Sequence, residues 1–130
     1  MKYLLDTDTV SFALRGQGAV GGHLKTQRPS SLCMSAITLA ELRYGADRKR
    51  SRKLHRLIDT FTATVKVAAF DEAAAAEFGR IGSLLAERGT PIGEFDVLIA
   101  AHAVVLKCTL VTNNVRHFSK VPGLTVENWA

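Results

Sequence analysis

The sequence predicts an α/β fold: a mostly parallel central sheet of four to five strands flanked by helices, in one domain over residues 1–130. Three observations predict it. Short β-type runs recur between longer stretches of helical periodicity, the order that crossover-connected parallel strands require. The runs at 2–6 and 31–35 have uninterrupted apolar centres, Tyr3-Leu-Leu5 and Leu32-Cys-Met34, as strands covered on both faces do. The helix expected from Val97 to Leu106 is apolar almost all round, which marks a buried helix. A chain of 130 residues suits one domain that hides roughly two-thirds of its unfolded surface.

Residues 2–6 read as a strand that ends on an acid, Asp6. Residues 7–15 follow as a helix capped by Thr7 or Asp8. A glycine-rich break covers 16–22, and 23–28 form a short helix or loop. The second strand is 31–35, where Ser35 caps a helix to about residue 46, and a basic helix spans 48–60. The third strand is 64–70. Asp71 then caps a helix that stops at Gly89 before Pro91, with Ala74, Phe78, Ile81 and Leu85 as its core stripe. Pro91 and Gly93 release the chain into the apolar helix. A fourth strand at 110–112 ends in Asn113 and Asn114, and 124–126 form a last short edge strand.

Composition narrows the class. Hydrophobic and charged contents of 47% and 22% are ordinary for a soluble globular protein. No apolar run approaches the roughly 20 residues of a membrane span, and no basic start leads into a long apolar core. The expected location is therefore cytoplasmic, with no membrane partner. Cys33 and Cys108 lie singly in β-like runs without a nearby histidine pair, which predicts reduced core thiols. A net charge of +5 favours a polyanionic partner.

The chemistry rests on acids. In parallel sheets ligands gather beyond the carboxyl ends of the strands. Asp6 lies at one such end, and Asn113 and Asn114 at another. Glu41 points among Ile37, Ala40 and Tyr44, the apolar side of its helix, where a charge needs a partner. Asp96 stands at the first turn of the buried helix, in line with Ala100 and Ala103, whereas Glu94 points roughly 200° away. Three converging carboxylates repel one another unless a cation intervenes. Hard oxygen donors suit Mg²⁺ or Mn²⁺, and an ion so held can activate water and brace a phosphate. Each acid also has a blander reading: Asp6 and Asp96 as helix caps, Glu41 paired with a surface arginine.

Several spaced stretches, in order, resemble one family. Leu5-Asp6-Thr7, Ser35-Ala-Ile-Thr-Leu-Ala-Glu-Leu-Arg-Tyr-Gly45, Pro91-Ile-Gly93, Phe95-Asp96, Ile99-Ala-Ala-His102 and Leu110-Val-Thr-Asn-Asn114 look like the motifs of PIN-domain ribonucleases. Val121-Pro-Gly-Leu124 and Glu127-Asn-Trp129 extend the likeness over nearly the whole chain, and it is strongest to the VapC-type toxins of toxin–antitoxin pairs. The resemblance implies a PIN-like domain that cleaves RNA phosphodiesters with Mg²⁺ or Mn²⁺ held by Asp6, Glu41 and Asp96. Many members carry a fourth acid in the Thr-Asn-Asn region, where this chain has Asn113 and Asn114. Asp8 stands where the family often has asparagine, and Thr7 and Thr112 would be hydroxyls behind the ligands. The resemblance further implies a homodimer and a small antitoxin that blocks the site and carries the pair to operator DNA.

Two rival motifs fail on context. Asp6-Thr-Asp-Thr-Val10 resembles the first motif of haloacid-dehalogenase-type phosphatases, but too little chain follows Asn114 for the lysine and acidic motif they need. Gly16-Gln-Gly-Ala-Val-Gly21 fits the dinucleotide fingerprint, yet a helix-like stretch separates it from the strand it should follow. A glycine-rich helix exit accounts for it better.

The lysines and arginines between Arg43 and Arg56, against the single acid Asp47, suit either RNA phosphates or a solvated face. Phe12, Leu14 and Tyr44 suit either core or a groove for a partner helix. His102 reads as a core or rim residue, and His23, His55 and His117 carry no signal.

Overall fold

The computed structural model describes residues 1–130. Its sheet comprises β1 (Tyr3–Leu5), β2 (Leu32–Ser35), β3 (Lys66–Ala68), β4 (Thr109–Val111) and β5 (Val126–Glu127). All pairs are parallel, in the order β3-β2-β1-β4-β5. From β1 the chain winds outward through β2 and β3, then returns to the other side for β4 and β5. The winding direction therefore reverses between β1 and β4, and such a reversal opens a crevice at the carboxyl ends of the two strands. Leu5 is level with Val111 there, and the Asp6 N–H donates to the Val111 carbonyl at 3.0 Å.

Seven helices surround the sheet: α1 (Thr7–Arg15), α2 (Val20–Lys25), α3 (Ala36–Arg48), α4 (Arg52–Thr62), α5 (Glu72–Glu87), α6 (Glu94–Leu106) and α7 (Val115–Phe118). None is long and apolar enough to cross a membrane. The period of two along the strands builds a core on each face. Leu4, Cys33 and Leu110 meet Ile81 and Leu85 of α5 and Ile99 of α6 on one side. Tyr3, Leu5, Met34 and Val111 meet Val10, Leu42, Ile58 and Trp129 on the other. Cys33 and Cys108 are buried and free.

The expected elements are present, with shifted ends. β1 stops at Leu5 because Asp6 turns to cap α1, β3 keeps only 66–68 of the expected 64–70, and β4 and β5 are displaced by one or two residues. Asp6, not Thr7 or Asp8, caps α1: its Oδ1 accepts the Thr9 N–H at 2.8 Å. Ser35 and Asp71 cap α3 and α5 as expected. The glycine-rich break yields to α2 from Val20 onward, since the buried Val20 anchors that turn on the core. The basic stretch is not one helix: α3 runs through Arg48, Arg50 takes a positive φ of 51°, and Ser51 caps α4. The buried face of α3 is Thr38, Leu42 and Ala46, while Ala40 is exposed and Tyr44 is 69% exposed. A threonine facing the core hid that stripe from a hydropathy reading. Helix α7 was not expected; at four residues it is too short to show a period.

Candidate active site

Asp6 is placed by the reversal of direction at the end of β1. It is 5% exposed and capped onto Thr9, and the hydroxyl of the fully buried Thr112, just beyond β4, lies close enough to hold its pKa down. Thr9 in turn donates its hydroxyl to the Val111 carbonyl at 3.1 Å, tying α1 to β4. The Thr112 oxygen accepts the Asn114 N–H at 3.0 Å, which shapes the turn into α7.

Glu41 reaches the same place from α3. The Thr7 hydroxyl donates to its Oε1 at 2.6 Å and lies 3.2 Å from the buried Thr38 hydroxyl. No surface arginine takes Glu41. Asp96 comes from the first turn of α6, where the residue before the helix is Gly93, at a φ of 96° that favours glycine. Asp96 therefore does not cap its helix. Its Oδ2 accepts instead from His117 Nε2 at 2.8 Å, and the helix N-terminus favours its charge.

Asp6, Thr7, Asp8, Glu41, Asp96, Asn114 and Phe118 line one recess of about 80 Å³. Thr112 stands behind Asp6, and Asn113 is exposed outside the lining. Burial raises the Asp6 pKa, opposed by the hydrogen bonds from Thr112 and Thr9, and the Asp8 charge adds to the rise. Glu41 is raised by burial too, opposed by the Thr7 hydroxyl and reinforced by the charges of Asp96, Asp8 and Asp6. The acids thus feel one another across the recess. As placed, no three acidic, histidine or cysteine side chains close on a common point at ligating distance. The carboxylates line the recess, each held by its own neighbour.

Sequence reasoning did not single out His117, which rests edge-on against Phe118 with ring centroids 5.3 Å apart. Nothing in a single histidine, twenty-one positions beyond Asp96, announces the pairing. His102 is a core residue, 1% exposed, with Nδ1 2.8 Å from the Ser35 hydroxyl and Nε2 unpartnered. It links α6 to the cap of α3, and so the helix of Asp96 to that of Glu41.

A larger groove, about 840 Å³, opens from Thr7 and Glu41 between α1, α3 and α4. Leu14, Leu42, Leu54 and Leu57 line it together with Arg15, Lys49 and Lys53. Leu14 both lines this groove and packs against the core beneath it.

A parallel sheet with acids from three separate segments gathered at its reversal point defines an acidic-centre α/β protein. The PIN domain model matches residues 3–124. The chain is 35% identical to the tRNA(fMet)-specific endonuclease VapC of Salmonella typhimurium, across 99% of this chain and 98% of that one. It is also 35% identical to the Ribonuclease VapC2 of Haemophilus influenzae, with the same coverage of both chains. Among solved structures, VapBC2 of Rickettsia felis bound to a promoter DNA fragment superposes with a TM-score of 0.93 at 31% identity, covering both chains fully. DNA-bound VapBC of Salmonella typhimurium gives 0.90 at 35% identity, covering 100% of this chain and 99% of that one. The chain belongs to the PIN domain family, among the VapC ribonucleases of toxin–antitoxin pairs.

Proposed function

We propose that this chain is a single-domain endoribonuclease toxin that hydrolyses RNA phosphodiester bonds, with Asp6, Glu41 and Asp96 holding Mg²⁺ or Mn²⁺. The observation that carries the reading is the recess itself, which these three acids line from distant segments. The donor set fits such an ion: all three are hard carboxylate oxygens, and the ionisation of Glu41 is opposed by the other acids. A divalent cation bound there supplies a lowered pKa for an attacking water and stabilises charge on the scissile phosphate.

The chain's own residues set the stage. The Thr9 N–H fixes Asp6, the only one of the three acids that is buried, with the Thr112 hydroxyl beside it. Thr7 engages one Glu41 oxygen and leaves the other as a donor atom. Asn114 offers an amide in place of a further acid. It adds no charge, which is the observation that favours the second reading, a PIN-like module that holds RNA or protein without cutting.

The proposed partners are an RNA substrate, a cognate antitoxin, operator DNA through that antitoxin, and a second copy of this chain, all in the cytoplasm. Support for the antitoxin comes from relatives solved as VapBC complexes with DNA. The groove beside the recess, with leucines and a cationic border, suits an acidic amphipathic segment of such a partner.

The test is incubation of the purified chain with RNA, initiator tRNA included, in Mg²⁺, Mn²⁺ or EDTA. Metal-dependent cleavage that vanishes in Asp96→Asn supports the nuclease. RNA binding without cleavage, unchanged by that substitution, replaces it with the module.

A further inference from the structure

We infer that His117 is a positioning residue for the cation site: it aims the Asp96 carboxylate into the recess. The inference rests on the reading of Asp96 as a ligand. The Asp96 side chain is 41% exposed, so packing alone does not fix its rotamer, in contrast to Asp6. His117 supplies the missing restraint. With a proton on Nε2, its ring donates to Oδ2 at 2.8 Å and occupies that oxygen only, leaving Oδ1 as a donor atom.

The ring itself is fixed. His117 is 25% exposed on its side chain and lies edge-on to Phe118, which is 2% exposed and sits in the core under α5 and α6. Phe118 also lines the recess. Helix α7 thereby acts as a short prop: one buried aromatic anchors it, and the neighbouring histidine carries that rigidity to Asp96. Hydrogen-bond partners of this kind, standing behind metal ligands, are typically worth 10–100-fold in metal affinity. The opposite role has the same contact but the reverse sign. If His117 held Asp96 away from the ion, breaking the bond would strengthen binding.

The experiment titrates Mn²⁺ alone into the purified full chain, followed by calorimetry and by the loss of free-ion EPR signal. His117→Phe keeps the ring on Phe118 and removes the donor; His117→Gln returns an N–H near the position of Nε2. The expected result is a Kd about 10–100-fold weaker in His117→Phe, recovered most of the way in His117→Gln. Melting in EDTA, unchanged among the three proteins, separates aiming from folding. Equal or tighter Mn²⁺ binding by His117→Phe overturns the inference. No Mn²⁺ binding by the unsubstituted chain overturns the reading of the recess, and the inference with it.

Discussion

Asp6 and Asp96 line the same recess from two walls, one at the end of β1 and one at the start of α6, and the two walls are built differently. On the β1 side the carboxylate is buried, accepts the Thr9 N–H beside the Thr112 hydroxyl, and is raised in pKa by its burial. On the α6 side the carboxylate is half exposed and held by one histidine on a four-residue helix. The first wall is part of the sheet's reversal point and cannot move without the core. The second stands on a helix end and a prop. The contrast separates two demands on an acidic centre: one acid fixes where the centre is, and the other is aimed into it by a single contact.

The largest expected effect follows from removing charge on either wall. Asp6→Asn and Asp96→Asn should each cut RNA cleavage by more than about 100-fold, beyond the 10–100-fold typical of groups behind a ligand. Without metal, however, they should part company. Asparagine at 6 still caps α1 and ends the cost of a buried charge, so Asp6→Asn should melt higher than the parent in EDTA at neutral pH. Asp96→Asn should melt close to the parent. Equal shifts in calorimetry would erase the distinction between the walls.

A smaller effect is expected from the hydroxyls that arm the rigid side. Thr7→Val keeps the shape but removes the 2.6 Å donor to Glu41, and should weaken metal affinity and cleavage by about 10–100-fold. Thr112→Val removes the hydroxyl beside Asp6 and the acceptor of the Asn114 N–H, at a stability cost of about 1–3 kcal/mol. Urea unfolding reads the second loss directly.

pH sharpens the contrast further. Asp6 and Glu41 have pKa values raised above their ordinary 3.8 and 4.5. A raised carboxyl binds its proton more tightly in the folded state, so its contribution is fully present below the unfolded value and lost as pH rises through the folded one. The metal-free protein should therefore lose stability on these groups as pH climbs from about 4. The stabilisation by millimolar Mn²⁺ should grow over the same range, since the ion binds the ionised folded form. A melting shift that does not change between pH 4 and 8 would remove both acids from the site.

The fold was legible because its signals are periodic. The apolar runs at 3–5 and 32–34, the stripe of α5 and the apolar α6 state their places in the sheet and core. The acids were legible because a charge on an otherwise apolar element is conspicuous. What stayed hidden was pairing across the chain. The Thr7–Glu41 and His117–Asp96 bonds join residues 34 and 21 positions apart, and neither helix period nor strand alternation links such positions. The blander reading of Asp6 as a cap also holds, alongside its place in the recess; a single carboxylate serves both.

The smallest effect concerns His102, which joins the two walls from beneath. Its Nδ1 accepts from the Ser35 hydroxyl while that oxygen accepts the Ile37 N–H, so a neutral ring completes the cap of α3. Burial lowers its pKa below the ordinary 6.5, against the opposing Asp71 charge and Ala69 carbonyl. The unfolded chain then takes up the proton first, and stability is lost as pH falls from about 6.5 toward the folded value. The sense is opposite to that of Asp6 and Glu41. His102→Leu removes this titration along with the hydrogen bond, so it should cost about 1 kcal/mol at pH 7.5 and less at pH 5.5. A deficit in urea unfolding that is the same at both pH values would show that the ring contributes only its volume. The coupling of α3 to α6 would then rest on apolar packing alone.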